Sequence, residues 1–89
     1  MRAVVTVIGK DMVGILAKVT AICADKNVNV IEVTQSIMQD LFAMIMLADI
    51  SKLEGDFIEL SSELTELGKS LSLDIRVMHE DIFNSMHRI

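Results

Sequence analysis

Chemistry is concentrated in one short stretch, Ile8-Gly9-Lys10-Asp11-Met12-Val13-Gly14-Ile15-Leu16. A β-branched run leads into it and an amphipathic helical pattern leaves it, with two glycines and a lone acid between. Glycine admits backbone conformations and close approaches that a Cβ forbids. A helix starting after such a turn presents unpaired N–H groups, and these attract an anion. Backbone N–H groups around Met12 to Ile15 would receive a carboxylate, while Lys10 or Asp11 would meet the rest of a small zwitterion. A competing use is that Asp11 caps the helix, which consumes the donors and positive potential a ligand carboxylate needs. A third arrangement turns Asp11 outward to meet an ammonium group. Glycines five apart also occur in phosphate-binding loops, but Lys and Ser/Thr must then follow the second glycine. Ile15 and Leu16 stand there instead, which argues against a nucleoside triphosphate site.

The remaining polar residues offer less. Asn29 and Gln35 fall on one face of a period-two segment, among Ile31 and Val33. Buried amides need partners, so these two either bond nearby backbone or line a ligand or dimer site. His79, Glu80, Asp81 and His87 would suggest a metal, but the histidines are eight apart and the two acids diverge on a helix. Scattered solvated residues account for them better, and no metal site is expected. Neither histidine has an activating neighbour in sequence, so general-base catalysis is unsupported. No catalytic residue is assigned, no cofactor is implied, and the chain is expected not to be an enzyme. Cys23 lies on an apolar helical stripe, where a thiolate is disfavoured; it reads as a small core residue.

Composition narrows the class further. The 89 residues suffice for one domain. About half are apolar, so the chain is not intrinsically disordered. A net charge of −5 with no basic cluster argues against nucleic acid. The longest apolar run, Leu41 to Ala48, is too short to span a bilayer, so no membrane partner is expected. No secretory signal is evident, and a single cysteine fits a reducing cytoplasm.

These groups need elements to position them. Ala3 to Ile8 reads as a buried strand. Ile15, Leu16, Val19, Ile22 and Cys23 form one helical stripe within a helix over 13–26, with Asn27 at its left-handed end. Val28 to Met38 alternates as a strand, with Asn29, Ile31, Val33, Gln35 and Ile37 on one face. Gln39-Asp40 makes a tight turn into a third strand, Leu41 to Ile50. Phe57, Leu60, Leu64, Leu67 and Leu71 mark a second helix starting near Gly55 or Asp56; Gly68 inside it reflects either close packing or fraying. Leu73 to Met78 is a fourth strand, with Leu73, Ile75 and Val77 on one face. From Asp81, Ile82, Phe83, Met86 and Ile89 form a short amphipathic helix. The order β-α-β-β-α-β with right-handed crossovers gives an α+β, ferredoxin-like sandwich: a four-stranded antiparallel sheet, two helices on one face, and a short C-terminal helix. Residues 1–78 form the domain and 79–89 its helical tail.

One sheet face is left without helices, and it is not convincingly polar. Burying about five of its apolar side chains would give roughly 7–15 kcal/mol gross. That is comparable with the estimated ~4–15 kcal/mol cost of association. The expectation is a homo-oligomer, most simply a two-fold dimer; the alternative is that the C-terminal helix folds back as a lid.

Several proteins of this topology are disfavoured by residues. RNA-recognition domains stack bases on aromatics, but Trp and Tyr are absent here. A Cys-x-x-Cys metal loop and an acylphosphatase-type arginine in the first loop are also lacking. What remains is a resemblance. The loop Gly9-Lys10-Asp11-Met12-Val13-Gly14-Ile15, with Asn29-Val30, Gln35 and Phe42-Ala43-Met44, resembles ACT domains. It is most similar to the modules of formyltetrahydrofolate deformylases and glycine-cleavage-type regulators, and the tail from Asp81 resembles short stand-alone bacterial ACT proteins. Those larger proteins attach the module to further domains, so neither activity is expected of a single copy. The resemblance implies amino-acid effectors bound where the first loop of one subunit meets the second strand of its neighbour. Asp11, Met12, Gly14, Ile15, Asn29 and Val30 would line that site. The implied function is a regulatory module that senses a small molecule and signals through a partner enzyme or regulator. The alternative is an interaction module that binds no small ligand.

Overall fold

A computed structural model describes residues 1–10 and 14–86. The elements are β1 (Arg2–Gly9), α1 (Ile15–Asp25), β2 (Asn29–Met38), β3 (Leu41–Asp49), α2 (Phe57–Ser70), β4 (Asp74–His79) and α3 (Glu80–Met86). The sheet order is β2-β3-β1-β4, and every adjacent pair is antiparallel. This is the expected ferredoxin-like arrangement.

The core follows from alternation. On β1, Ala3, Val5 and Val7 point to one face and pair with Ala48, Met46 and Met44 of β3. Helix α1 lays Ile15, Val19 and Cys23 on that face, and α2 adds Leu60, Leu64 and Gly68. Leu16, expected on the same stripe, is 38% exposed; one residue past Ile15, it is rotated about 100° around the helix. Helix α2 is capped by Asp56, whose carboxylate accepts the Glu59 N–H at 2.8 Å. Asn27 and Gln39 take the left-handed conformation where the helix end and the hairpin turn require it (φ 59° and 56°).

Strand β2 departs from the expected alternation. Val30 pairs with Ala48 and Glu32 with Leu47, so Ile31 is an extra, bulged residue. The bulge reverses the phase. Val30 joins Val33, Gln35 and Ile37 on the helix side, whereas Asn29 shares the other face with Glu32 and Thr34. Asn29 and Gln35 therefore lie on opposite faces, not one.

The face away from α1 and α2 is partly covered. Val4 points there, yet is only 3% exposed. Helix α3 starts directly after β4, one residue earlier than expected, and contacts β1 and β4. The cover is incomplete, because Ile8, Leu41 and Ile45 on the same face stay 39–47% exposed. Among the described residues, no helix is long and apolar enough to cross a membrane.

Candidate ligand site

Helix α1 separates the expected site residues into two groups. At its start, Gly14 holds φ 74°, a left-handed conformation that a β-branched residue resists. Gly14 occupies the N-cap position, three residues beyond Asp11, and brings no side-chain cap. Its carbonyl accepts the Lys18 N–H at 3.0 Å, and no acidic residue lies in the first turn. The other glycine of the loop, Gly9, works through close approach: a Cβ there would overlap the Leu73 side chain. Asp11 and Met12 lie outside the described residues, as does the choice between capping and ligand contact at Asp11. Ile15 is buried in the core, so only its backbone N–H is offered to a ligand.

Asn29 and Val30 lie past the other end of α1. Eleven helical residues span about 16 Å, too far for one small ligand to touch Gly14 and Asn29 of the same chain. Val30 is half-buried on the helix side. Asn29 is exposed beside Asp49, its register partner on β3. Neither the Asn29 nor the Gln35 carboxamide has a partner among the described residues.

A group of residues that the sequence analysis did not single out surrounds Asn29. Asp49 Oδ1 accepts the Ser51 backbone N–H at 2.9 Å and the Ser51 hydroxyl at 2.6 Å. The N-terminal ammonium in turn donates to Ser51 Oγ at 3.1 Å. Chiefly through the Ser51 hydroxyl, then its N–H, the Asp49 carboxyl is held below the ordinary aspartate range. Asn27, Asn29, Asp49, Ser51 and Lys52 border a cavity of about 450 Å³. The local pattern Asp-x-Ser, in which an aspartate accepts the N–H two residues on, was the available signal.

The tail residues are structural. The His79 ring stacks on Phe57 with centroids 4.1 Å apart. Glu80 takes the Arg2 guanidinium through two contacts, at 3.0 and 2.9 Å. His79 and Glu80 are thus partnered, not merely solvated as expected. Among the described residues no three His, Cys, Asp or Glu side chains group to hold a metal; His87 lies outside them. Cys23 is in the core, and burial pushes its thiol pKa up.

The ACT domain family model matches residues 2–78. The chain belongs to the ACT domain family. A UPF0237 protein of Clostridium perfringens is 52% identical over 89 residues, covering the whole of both chains. Among solved structures, an ACT domain protein from Streptococcus pneumoniae superposes with a TM-score of 0.79 at 31% identity, covering 93% of each chain. A formyltetrahydrofolate deformylase from Pseudomonas syringae gives 0.77 at 25% identity, covering 88% of this chain but 27% of that one. The resemblance expected from the Gly9–Ile15 loop therefore holds, and in the deformylase it concerns one module of a larger protein. The ACT family is one of regulatory, small-molecule-binding modules.

Proposed function

We propose that this ACT domain binds an amino-acid effector between two copies of the chain and passes the signal to a partner enzyme or regulator. The observation carrying this is the separation just described: Gly14 and Asn29 stand at opposite ends of α1. Two-fold pairing along the β2 edge would set the start of one α1 beside the other copy's Asn29 and Val30. The edge suits such pairing. Strand β2 is outermost, carries Ile37 and Met38 at 58% and 61% exposure, and has one charged residue, Glu32. Long edges with few charges and no proline tend to pair, and Ile37 and Met38 lie on the regular stretch beyond the bulge. Asp11, Met12, Gly14 and Ile15 of one copy, with Asn29 and Val30 of the other, would then line the site. The anion goes to the α1 N-terminus, where Gly14 leaves the first-turn donors uncapped by its own side chain.

In this reading the chain performs no catalysis, needs no cofactor and works in the cytoplasm, which suits one buried thiol. Sedimentation at micromolar concentration together with a thermal-shift screen of the amino acids tests it. The expected result is a dimer or larger oligomer and a Tm rise with a small subset of amino acids. A monomer, or a Gly14→Val variant responding like wild type, would overturn it. A second reading, an interaction module without a ligand, draws on exposed Ile82 and Met86 of α3 (53% and 65%). An oligomer whose Tm no amino acid moves would favour that reading.

A further inference from the structure

The cavity at the C-terminal end of α1 is complete within one chain, unlike the shared site. Two hydrogen bonds fix its walls. Asn27 Nδ2 donates to the Lys52 carbonyl at 3.1 Å, and the Glu54 N–H donates to the Lys26 carbonyl at 2.9 Å. They clamp the segment after β3 onto the turn between α1 and β2. A third tie, the Lys26–Glu63 ion pair at 3.2 Å, joins the same turn to α2. Such cross-bracing holds binding groups in place before a ligand arrives.

The groups facing this cavity are complementary in charge. Asp49 spends Oδ1 on Ser51, while among the described residues no hydrogen bond reaches Oδ2. Arg2, its register neighbour on β1, is committed to Glu80; the positive charges acting on Asp49 are the N-terminal ammonium and Lys52. The C-terminal end of α1 adds negative potential on the same side. Lys52 supplies an ammonium that also borders the cavity and whose charge is one of the causes holding the Asp49 carboxyl low, and the exposed Asn29 carboxamide lies at the rim. A carboxylate, an ammonium and an apolar floor made by Val28 bound a volume in the usual range for small-molecule sites.

We propose that this cavity binds a free α-amino acid, its ammonium on Asp49 Oδ2 and its carboxylate on the Lys52 ammonium. The site goes beyond the shared one: its charged groups all come from a single copy, so occupancy does not require dimerisation. Only the assignment of the chain as a small-molecule sensor is carried over.

Calorimetric titration of the full chain tests it, with glycine, L-alanine, L-serine and L-valine and the N-acetyl and carboxamide derivatives of each. At least one free amino acid should bind, and each derivative should bind at least about tenfold more weakly, the scale of a lost hydrogen bond to a charged group. Lys52→Met should weaken the free amino acid by a similar factor while leaving the carboxamide derivative unchanged. Asp49→Asn should do the reverse, sparing the N-acetyl form. Among the described residues the Lys52 side chain makes no hydrogen bond or ion pair beyond its attraction to Asp49, so its variant remains folded even if Asp49→Asn is destabilised. Binding lost in Gly14→Val but kept in both Lys52→Met and Asp49→Asn overturns this site and leaves the shared one standing. Binding lost in the latter pair and kept in Gly14→Val supports this site and overturns the shared one. No binding of any of the four to wild type overturns it outright.

Discussion

Replacing Gly68 with alanine sets two effects of known sign against each other. In an exposed helix interior the change would stabilise by about 1 kcal/mol, the helix-propensity difference between glycine and alanine. Gly68 is buried in α2 against β4. A Cβ placed there comes within 2.9 Å of the Leu73 carbonyl oxygen and of Ile75 Cγ1, and 3.2 Å of Ile75 Cβ. Ile75 is itself in the core, at 3% exposure. The Leu73 carbonyl belongs to the chain reversal that ends α2, where the Leu73 N–H donates to the Gly68 carbonyl at 2.8 Å. Neither obstacle is the free end of a flexible side chain, so relief requires α2 to lift from β4. Overpacking of this kind costs about 1–3 kcal/mol, and a main-chain obstacle places it in the upper part of that range. Subtracting the propensity gain leaves a net loss of about 1–2 kcal/mol. For a domain of this size that lowers Tm by roughly 5–15 °C. Thermal unfolding followed by circular dichroism measures it. Ser62→Ala, exposed on the same helix, reports propensity alone and should raise Tm slightly. A Gly68→Ala variant with unchanged or higher Tm would refute the close-packing account and return Gly68 to a frayed helix end.

Three further outcomes follow from named contacts. Asp56→Ala removes the α2 cap and should cost about 1 kcal/mol in urea unfolding, with Asp56→Asn recovering most of it. Asp49 has a lowered native pKa, so its stabilisation is present above the ordinary aspartate value and lost as pH falls through the native one. The Asp49→Asn variant should therefore lose less stability than wild type on acidification through and below the ordinary aspartate range, as shown by denaturation at stepped pH. Cys23, 1% exposed with a raised thiol pKa, should react with a thiol reagent only through unfolding. Its labelling rate should rise in step with urea, and rapid labelling in buffer would contradict its burial.

Most of the fold was legible because periodicity and topology agree. The alternation of Phe42, Met44, Met46 and Ala48 marks a buried strand face, and the Phe57–Leu71 stripe marks a helix, whatever their tertiary context. Family membership was legible in the glycine loop, where Gly14 needs a positive φ and Gly9 a close approach. Two things were not. The β2 bulge has no local signature, since Val28 to Met38 alternates acceptably in either phase; Ala48 and Leu47 of β3 decide it. The Asp49–Ser51–Lys52 group was missed because its residues are ordinary turn chemistry in sequence and acquire meaning only beside Asn27 and Asn29.

The bulge would also govern the pairing of two copies proposed for the β2 edge. Regular pairing cannot cross Ile31, so a second strand has seven residues available, from Glu32 to Met38. That segment contains both strongly exposed apolar side chains of the strand's far end, Ile37 and Met38. Were Ile31 to pair regularly instead of bulging, alternation would place Asn29 on the helix side, in the phase of Val33 and Gln35, and Val30 on the other face. Asn29 would then lose its place beside Asp49, and the core would gain an amide in exchange for a valine. The bulged pairing keeps an apolar side chain inside and a hydrogen-bonding one at the cavity rim. It would also confine the proposed edge pairing to the stretch beyond that rim. Under the proposed pairing, strand contact and the Asn29 cavity would occupy separate lengths of β2, so a ligand in the cavity would not displace the paired strand.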